Sequence, residues 1–390
     1  MGKLFDEWRA RSPHYNDSHE AVARAVRKFV EREASAHVDA WEAAREVPAS
    51  FHRKAGQAGL LGLGLPEEYG GTSEGIDIFH AFTQWEEVAA LGAGGVYSAL
   101  NTHMVALPPI LALGSEAMKR RIAPAVIAGE KVIALAISEP SGGSDVARLL
   151  TKGERRGNKF IVNGAKTFIS SGMRADYFTV AVRTGGPGLA GLSLLLLEKD
   201  MPGFTRTKLE KMGWHCGDTA TLHFDNVEVP IENLIGPQDG GFARIVENFN
   251  SERLGAAHQC CAYARVCLEE AVSWAQARET FGKKLGSHPV IRSKLADMAR
   301  MIDTTQAYVD LCGWRFVQGR AKPADFALLK VQATRTFERV AREAAQVLGG
   351  ASFIRGGKVE RIYREVRVMA IGGGSEEILL DLAGRQLGFG

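Results

Sequence analysis

Three consecutive glycines, Gly372–Gly374, lie near the end of the chain, directly before Ser375, Glu376 and Glu377. The glycines predict the end of one element, and the acidic residues with the following ILLDLAGRQL predict the start of a helix. The first turn of a helix has backbone N–H groups without intrahelical acceptors. Such a junction suits an anion, or an oxygen that becomes negative during a reaction.

A second group that could do chemistry is the carboxylate of Glu252. It continues an apolar stripe at the spacing of one helix face, formed by Phe242, Ile245, Val246 and Phe249. Burial on such a face raises the pKa of a carboxyl group, which suits a general base. The alternative is an ion pair on a solvated face, but the positions three and four residues away carry no basic side chain.

The elements that must position these groups follow an α, β, α order. Residues 1–130 carry apolar residues at helical spacing, as in HEAVARAVRKFVEREASAHV, and predict a helical domain. Residues 131–233 change to short apolar runs between glycine-rich segments, which predicts a small β-barrel with one hairpin turn at Asn163–Gly164. Residues 234–390 predict a second helical domain, with long helices near 239–279, 288–319, 323–349 and 375–386. The predicted fold class is therefore α+β multidomain, without the alternating pattern of a doubly wound nucleotide-binding sheet.

Charge and composition argue against several classes of protein. The chain has 48 basic and 45 acidic residues, a net charge of +3, and no long basic run, so nucleic acid is not an expected partner. No apolar stretch reaches the length of a membrane span and the N-terminus has no apolar signal core, so we expect a cytoplasmic protein without a membrane partner. The five cysteines form no CxxC pair, and we expect neither a disulfide framework nor a metal site.

Six stretches, in this order, resemble the acyl-CoA dehydrogenase family: AISEPSGGSD, NGAKTFISSG, MGWHCGDTATLHFDNVEVP, RETFGKKL, QVLGGASF and YREVRVMAIGGGSEEI. The resemblance covers nearly the whole chain and implies a C-terminal domain like a four-helix bundle. It also implies an enzyme of fatty acid β-oxidation with non-covalent FAD, which converts an acyl-CoA thioester to the trans-2-enoyl-CoA. The implied partners are an electron-transfer flavoprotein and further copies of the chain, in a homodimer or homotetramer.

The same resemblance assigns residues to the cofactor. Around the flavin ring it places Leu135, Ile137, Ser138, Phe168, Ile169 and Ser170, whereas Ser144 contacts both the cofactor and the tail of the CoA thioester. It assigns two segments to the FAD of the partner subunit. One is Arg278, Thr280 and Phe281, which reach across the dimer to the adenosine diphosphate, and the other is Gln346, Gly349 and Gly350. Ser375 and Glu377 correspond to FAD contacts at the start of the last helix. Arg278 suits contact with the pyrophosphate of FAD because the planar guanidinium group can bind two of its oxygens. Without the resemblance, a solvated arginine at a helix end is the simpler interpretation of Arg278.

The base that removes the proton α to the thioester needs separate treatment. In many relatives it is a glutamate at the position that is Gly373 here, whereas the long-chain and isovaleryl types carry it in a pattern like the ERL of Glu252–Leu254. The resemblance therefore makes Glu252 the base and Gly373 the N–H donor to the thioester oxygen, with a ribityl hydroxyl of FAD as second donor. The residues expected to bind the substrate are Phe249, Asn250, Arg253 and Gly374, with Ser144.

Two other functions remain open at this stage. One is a flavin-dependent monooxygenase or oxidase of the same fold, which would react with oxygen instead of a partner flavoprotein. The other is a non-catalytic helical scaffold that has lost its flavin. The ERL pattern and the segment for the acyl tail favour the dehydrogenase.

Overall fold

The computed structural model describes the backbone of residues 3–389, and their side chains except at positions 3, 4 and 241–248. The helices before the sheet are α1 Lys3–Arg11, α2 Asp17–Glu33, α3 Val38–Ala44, α4 Ala49–Gln57, α5 Ile78–Ala89, α6 Gly94–Asn101, α7 His103–Ala106, α8 Pro108–Leu113 and α9 Glu116–Ile127. Those that follow the sheet are α10 Gly241–Ala277, α11 Pro289–Val317, α12 Pro323–Leu348, α13 Lys358–Met369 and α14 Glu376–Gln386.

In chain order, an eight-stranded, mostly antiparallel sheet comes between these two sets of helices. Its strands are β1 Ile133–Ala136, β2 Lys152–Arg156, β3 Lys159–Ser170, β4 Tyr177–Arg183, β5 Leu192–Glu198, β6 Phe204–Lys208, β7 Thr219–Pro230 and β8 Leu234–Ile235. Their order is β6-β7-β3-β2-β4-β5-β8, and β1 pairs in parallel with β4. A separate hairpin pairs β9 Glu279–Thr280 with β10 Lys283–Lys284. The expected α+β class, with helices, a central sheet and further helices, is confirmed.

The chain forms two compact units, and each is discontinuous in sequence. The first unit, called the helical unit here, comprises residues 1–39, 77–94 and 250–390. The second, called the sheet unit, comprises residues 40–76 and 95–249 and contains β1 to β8. The limits predicted from the sequence, 1–130, 131–233 and 234–390, remain a prediction for the three domains.

The turn predicted at Asn163–Gly164 is wrong. Strand β3 runs through both residues, and its register against β7 shifts between Val162 and Gly164. A Cβ at position 164 would stand 2.7 Å from the Cα of Thr151, and the φ of Gly164 is +141°. The glycine therefore permits a close backbone approach at a bulge, and the chain reverses at residues 157–158 between β2 and β3.

The C-terminal helices lie where the apolar spacing predicts them, with one addition. The sequence indicated four long helices, whereas α13 was not foreseen. Helix α13 follows a glycine pair, Gly356–Gly357, which is typical of a loop and therefore obscures the start of the helix in the sequence. Among the described residues no single helix is long and apolar enough to cross a membrane; the bent pair formed by 94–101 and 103–113 passes that test by length and composition.

Buried neutral histidines give the helical unit a sensitivity to acid. The Nε2–H of His258 donates to the backbone oxygen of Phe82 at 3.1 Å, and the two rings stack with centroids 4.2 Å apart. Burial lowers the pKa of His258 to about 3, because a charged imidazole would lose its hydration there.

We expect His258 to reduce the free energy of unfolding as the pH falls below about 6.5, because the unfolded chain then takes up a proton that the folded chain refuses until about pH 3. The variant His258→Gln keeps an N–H donor and removes this titration. Its stability deficit relative to wild type should shrink by up to about 1.4 kcal/mol per pH unit between about pH 6 and pH 4, measured by urea denaturation. The control is His37→Gln, at an exposed histidine. Identical pH profiles for the two variants would contradict the assignment.

Candidate active site

The glycine turn at Gly372–Gly374 lies against the carboxylate of Glu252. A Cβ built on Gly373 would stand 3.3 Å from Oε1 of Glu252 and 3.9 Å from its Cδ. Helix α10 supplies Glu252, and the turn connects α13 to α14. The two residues that the sequence paired as base and backbone donor therefore lie side by side within the helical unit.

The backbone of Gly373 requires a residue without a side chain. Its φ is +69°, in the left-handed region that other residues adopt at a cost. Among the described residues, the N–H of Gly373 has no hydrogen-bond acceptor. This N–H is a donor available to an oxygen of a ligand.

Two basic side chains hold the three carbonyl groups of the turn. The ammonium of Lys330, on α12, donates to the backbone oxygen of Gly372 and, at 2.7 Å, to that of Gly374. The Nε–H of Arg253 lies 3.4 Å from the oxygen of Gly373, and another guanidinium N–H lies 3.3 Å from Oδ1 of Asn250. The turn is thus fixed through its acceptors.

Burial raises the pKa of the Glu252 carboxyl group above its ordinary value, because the charged form loses its hydration. The positive charges of Lys330 and Arg253 act in the opposite direction. The result is a carboxyl group with increased affinity for a proton beside a backbone N–H donor, which is a suitable arrangement for a general base.

The neighbouring acid Glu376 is engaged elsewhere. Its Oε1 accepts from the hydroxyl of Thr334 at 2.9 Å, and its Oε2 accepts from Arg335 at 3.0 Å. Both partners belong to α12. Glu376 therefore links α14 to α12 through both of its carboxylate oxygens.

Lys330 is a residue of this site that the sequence reasoning missed. Only 1% of its surface is exposed, and it lies on the buried face of α12 with Phe326, Ala327, Thr334 and Phe337. A lysine at i+3 and i+4 from apolar residues on one face was visible in the sequence. The spacing of residues along α10 does not reveal Lys330 as a neighbour of Glu252, because the lysine belongs to a different helix.

In the sheet unit, a buried ion pair holds the segment after β1. Lys166 on β3 donates to the backbone oxygen of Ile137 at 2.9 Å and to Oε1 of Glu139 at 2.8 Å. Glu139 also accepts from the backbone N–H groups of Leu150 and Thr151, at 2.6 and 2.9 Å. Both charged side chains are almost fully buried. The backbone carbonyl group of Ile137, a predicted flavin contact, is therefore held by a buried ion pair whose hydrogen bonds are satisfied.

The predicted trio Phe168, Ile169 and Ser170 lies at a break in strand register. The pairing of β3 with β7 shifts between Lys166 and Ile169. At this break Phe168 has a φ of +61° and 71% of its surface exposed, whereas Ile169 points into the apolar core of the sheet unit. A phenylalanine in left-handed conformation is a strained feature of the kind found at binding sites.

The predicted adenosine-side residues lie at the small hairpin of the helical unit. Thr280 ends β9, and the two-residue turn that follows gives Phe281 a φ of +49° with 94% of its surface exposed. Arg278 directly precedes β9 and is exposed. Its side chain has no hydrogen-bond or ion-pair partner in the described part of the chain.

The remaining predicted residues have the following positions. Leu135 lies on β1, and Ser138 follows it, with its carbonyl oxygen accepting from Thr167 at 2.8 Å. Ser144 is exposed in the glycine-rich loop, and Phe249 packs against the core of the sheet unit. The exposed residues Gln346, Gly349 and Gly350 lie at the end of α12, and Ser375 and Glu377 begin α14. The side chains of Phe242, Ile245 and Val246, which formed the predicted stripe, are outside the described residues.

One cluster in the described part of the chain has the spacing of metal ligands: His19, Asp77 and His80. Both histidines act as helix caps, since His19 Nδ1 accepts from the N–H of Asn16 and His80 Nδ1 accepts from that of Asp77. The Nε2–H groups then donate to Asp77 and to the hydroxyl of Ser18. The cluster therefore serves as two interlocked capping boxes.

The chain has helices, a sheet and further helices in that order, and an acid lies beside a glycine turn. Comparison with known protein families identifies the class of protein that has this arrangement. Profiles described as the N-terminal, middle and C-terminal domains of acyl-CoA dehydrogenase match residues 16–130, 134–227 and 239–388. The chain belongs to the acyl-CoA dehydrogenase family. It is an FAD-dependent oxidoreductase that acts on acyl-CoA.

Individual relatives match over nearly the whole chain. Acyl-CoA dehydrogenase AFT10-1 of Alternaria alternata is 38% identical over 95% of this chain and 91% of its own length. The mitochondrial long-chain specific acyl-CoA dehydrogenase of Sus scrofa is 32% identical, over 96% of this chain and 87% of its own. A solved structure of a probable acyl-CoA dehydrogenase from Mycobacterium abscessus is 43% identical, with a TM-score of 0.93 over 96% of this chain and 99% of that one.

A further solved structure bears on the cofactor. A glutaryl-CoA dehydrogenase from Mycobacterium smegmatis, 26% identical to this chain, was determined in complex with FADH2. The TM-score is 0.91, covering 100% of this chain and 98% of that one. The expectation of FAD as cofactor is confirmed.

We expect Gly373→Ala to destabilise the protein by about 1–2 kcal/mol, because it places a Cβ at positive φ and against Oε1 of Glu252. The matched control is Gly372→Ala, one residue earlier, which lacks a positive φ and whose nearest neighbour would be the backbone oxygen of Val368 at 3.3 Å. Chemical denaturation of both variants checks this. An equal loss of stability at both positions would contradict the role given to the Gly373 conformation.

Proposed function

We propose that this protein removes the α-proton of an acyl-CoA thioester with Glu252 and releases the trans-2-enoyl-CoA. The observation that carries the proposal is the position of the Glu252 carboxylate, 3.3 Å from where a Cβ of Gly373 would stand. When a carboxylate and a free backbone N–H lie at one place, the carboxylate can remove the proton from the α-carbon and the N–H can stabilise the charge on the thioester oxygen.

The reaction assigns each group one task. The Glu252 carboxylate takes the α-proton, and negative charge then develops on the thioester oxygen. The N–H of Gly373 donates to that oxygen, and it is already oriented because Lys330 and Arg253 hold the carbonyl groups of the turn. When bound, FAD supplies the oxidant that accepts the hydride from the β-carbon, so that loss of one proton and one hydride leaves a carbon–carbon double bond.

Features of both units fit the cofactor. In the sheet unit, the exposed ring of Phe168 offers a flat apolar surface, and the segment Ile137–Ser138 is fixed by hydrogen bonds from β3. In the helical unit, the exposed guanidinium of Arg278 suits a pyrophosphate. The residues proposed to hold FAD are those assigned to it from the sequence. Of the residues proposed to bind the substrate, Asn250 and Arg253 lie on α10 with the proposed base, and Gly374 lies in the glycine turn.

The partners proposed are an electron-transfer flavoprotein, which would reoxidise the cofactor, and a second copy of this chain. The family supports the electron-transfer flavoprotein. The copy is proposed because Phe281 and Phe353, at the two segments assigned to a shared FAD, have more than nine tenths of their surface exposed. A subunit that covers these rings would remove apolar surface from water.

We expect Glu252→Gln to retain FAD and to reduce the rate of flavin reduction by acyl-CoA about 10²–10⁴-fold, because it keeps the shape of the side chain and removes the proton acceptor. In the wild type the rate should rise with pH through a pKa above that of an ordinary glutamate, because only the ionised carboxylate accepts the proton. Anaerobic stopped-flow measurement of flavin bleaching tests both expectations.

The matched control for this experiment is Glu376→Gln, which changes a nearby acid that contacts Thr334 and Arg335 instead. It should reduce its flavin at a rate near that of wild type. The assignment of Glu252 fails if the glutamine at position 252 leaves the rate unchanged, and it fails in favour of Glu376 if the effects of the two variants are reversed.

For the cofactor, we expect Arg278→Ala to weaken FAD binding by about 1.5–3 kcal/mol, the usual contribution of a hydrogen bond to a charged group. The measurement is the FAD dissociation constant of the purified apoprotein, followed by flavin fluorescence. The control Lys283→Ala removes a positive charge from the same exposed hairpin. If the two variants bind FAD equally well, Arg278 makes no specific contact with the cofactor.

A further inference from the structure

We propose that Lys330 is a positioning residue for the reaction: its buried ammonium holds the Gly372–Gly374 turn in place and sets a positive charge beside the Glu252 carboxylate. The inference rests on the proposed function, in which Glu252 is the base and Gly373 the donor. It adds a residue from a third helix, α12, to a site otherwise built from α10 and the turn before α14.

Lys330 forms hydrogen bonds with the residues before and after Gly373 in the turn. Its Nζ donates to the backbone oxygens of Gly372 and Gly374, the residues that flank the proposed donor. An ammonium that bridges two carbonyl groups fixes the peptide planes to which they belong. The N–H of Gly373 belongs to the same planar peptide unit as the carbonyl group of Gly372, so its direction depends on Lys330.

The same ammonium lies close to the proposed base. Nζ of Lys330 is 3.7 Å, and Oε1 of Glu252 is 3.3 Å, from the single point where a Gly373 Cβ would stand. The two charged groups therefore lie within about 7 Å of each other, and their attraction favours the ionised carboxylate. Lys330 therefore opposes the effect of burial, which raises the pKa of Glu252.

Other charged groups near Lys330 do not replace it. Arg253 and Cys260 on α10 and Glu376 on α14 also act on its ammonium electrostatically. Arg253 is a second cation near Glu252, but its guanidinium contacts the oxygen of Gly373 and the amide of Asn250. Cys260 is a buried thiol whose pKa burial raises above its ordinary value, so it stays neutral.

Burial of the charged Lys330 side chain costs free energy of hydration, which an apolar residue packed at the same position would not lose. Burial lowers its pKa to about 8, since the charged form loses hydration. A methionine of similar length would pack on the same face of α12 without that loss. Retention of a charge is explained if the carbonyl groups and the carboxylate both need it.

The test separates the charge from the hydrogen bonds. Lys330→Met removes both, Lys330→Gln keeps N–H donors without a charge, and Lys330→Arg keeps the charge. The control is Lys322→Met, at an exposed lysine just before α12. Each holoenzyme is titrated with a trans-2-enoyl-CoA, the proposed product, and binding is followed by the flavin absorbance between about pH 5 and 9. This measurement needs no turnover.

The dissociation constant should change with pH where Glu252 ionises, because an apolar ligand that excludes water disfavours the carboxylate. We expect this transition to move up by about one pH unit or more in Lys330→Met and Lys330→Gln, and to stay at the wild-type pH in Lys330→Arg and Lys322→Met. The rate of flavin reduction should fall about tenfold to a hundredfold in Lys330→Met, and less in Lys330→Gln, which can still donate to the turn. If the methionine variant loses its FAD, the glutamine variant carries the comparison.

Glu252→Gln, measured alongside, distinguishes failure of this inference from failure of the proposed function. If the transition is lost in Glu252→Gln but lies at the wild-type pH in Lys330→Met and Lys330→Gln, Glu252 is the titrating group and Lys330 has no electrostatic role, which overturns the inference. If the transition persists in Glu252→Gln, the base assignment is wrong, and with it the premise of the inference.

Discussion

The close approach of the Glu252 carboxylate to the backbone of Gly373 has two structural consequences. Position 373 must lack a side chain, and neighbouring residues must hold the turn in place. A side chain at position 373 would stand 3.3 Å from Oε1 of Glu252, and the φ of +69° disfavours any residue except glycine. A residue without a side chain leaves the turn with little intrinsic rigidity, because glycine loses more conformational freedom than any other residue when it becomes ordered. The rigidity has to come from outside the turn, and Lys330 and Arg253 supply it through the carbonyl oxygens.

A buried lysine that holds backbone carbonyl groups occurs in each of the two units. In the sheet unit Lys166 donates to Glu139 and to the backbone oxygen of Ile137, which belongs to the segment assigned to the flavin. In the helical unit Lys330 donates to the turn assigned to the thioester. An ammonium has three donors and no acceptor, so carbonyl groups turn toward it and the attached peptide N–H groups face other directions. Burial lowers the pKa of both lysines to about 8, because the charged form of each loses hydration.

The sequence allowed prediction of the order of the elements and of Glu252, because both are recorded in local patterns. Helical spacing gave the long C-terminal helices, and the motif around residues 252–254 gave the acid that the structure places beside Gly373. Asn163–Gly164 was misread because a glycine that permits close approach to Thr151 has the same local sequence as a hairpin turn. Lys330 was missed because its partners are 42 and 44 residues away, and no local pattern records a contact at that separation.

Two phenylalanines share a feature that folding of the single chain does not explain. Phe168 and Phe281 both have positive φ angles, and 71% and 94% of their surfaces are exposed. A strained backbone costs free energy, typically about 1–3 kcal/mol, and an exposed ring adds contact between apolar surface and water, so neither position stabilises the isolated chain. Such a combination persists where a contact beyond the chain compensates for it. Both residues belong to segments assigned to FAD, one near the flavin and one near the adenosine end. The strain and the exposure at these two positions therefore add a physical reason to the assignment that the sequence motifs make.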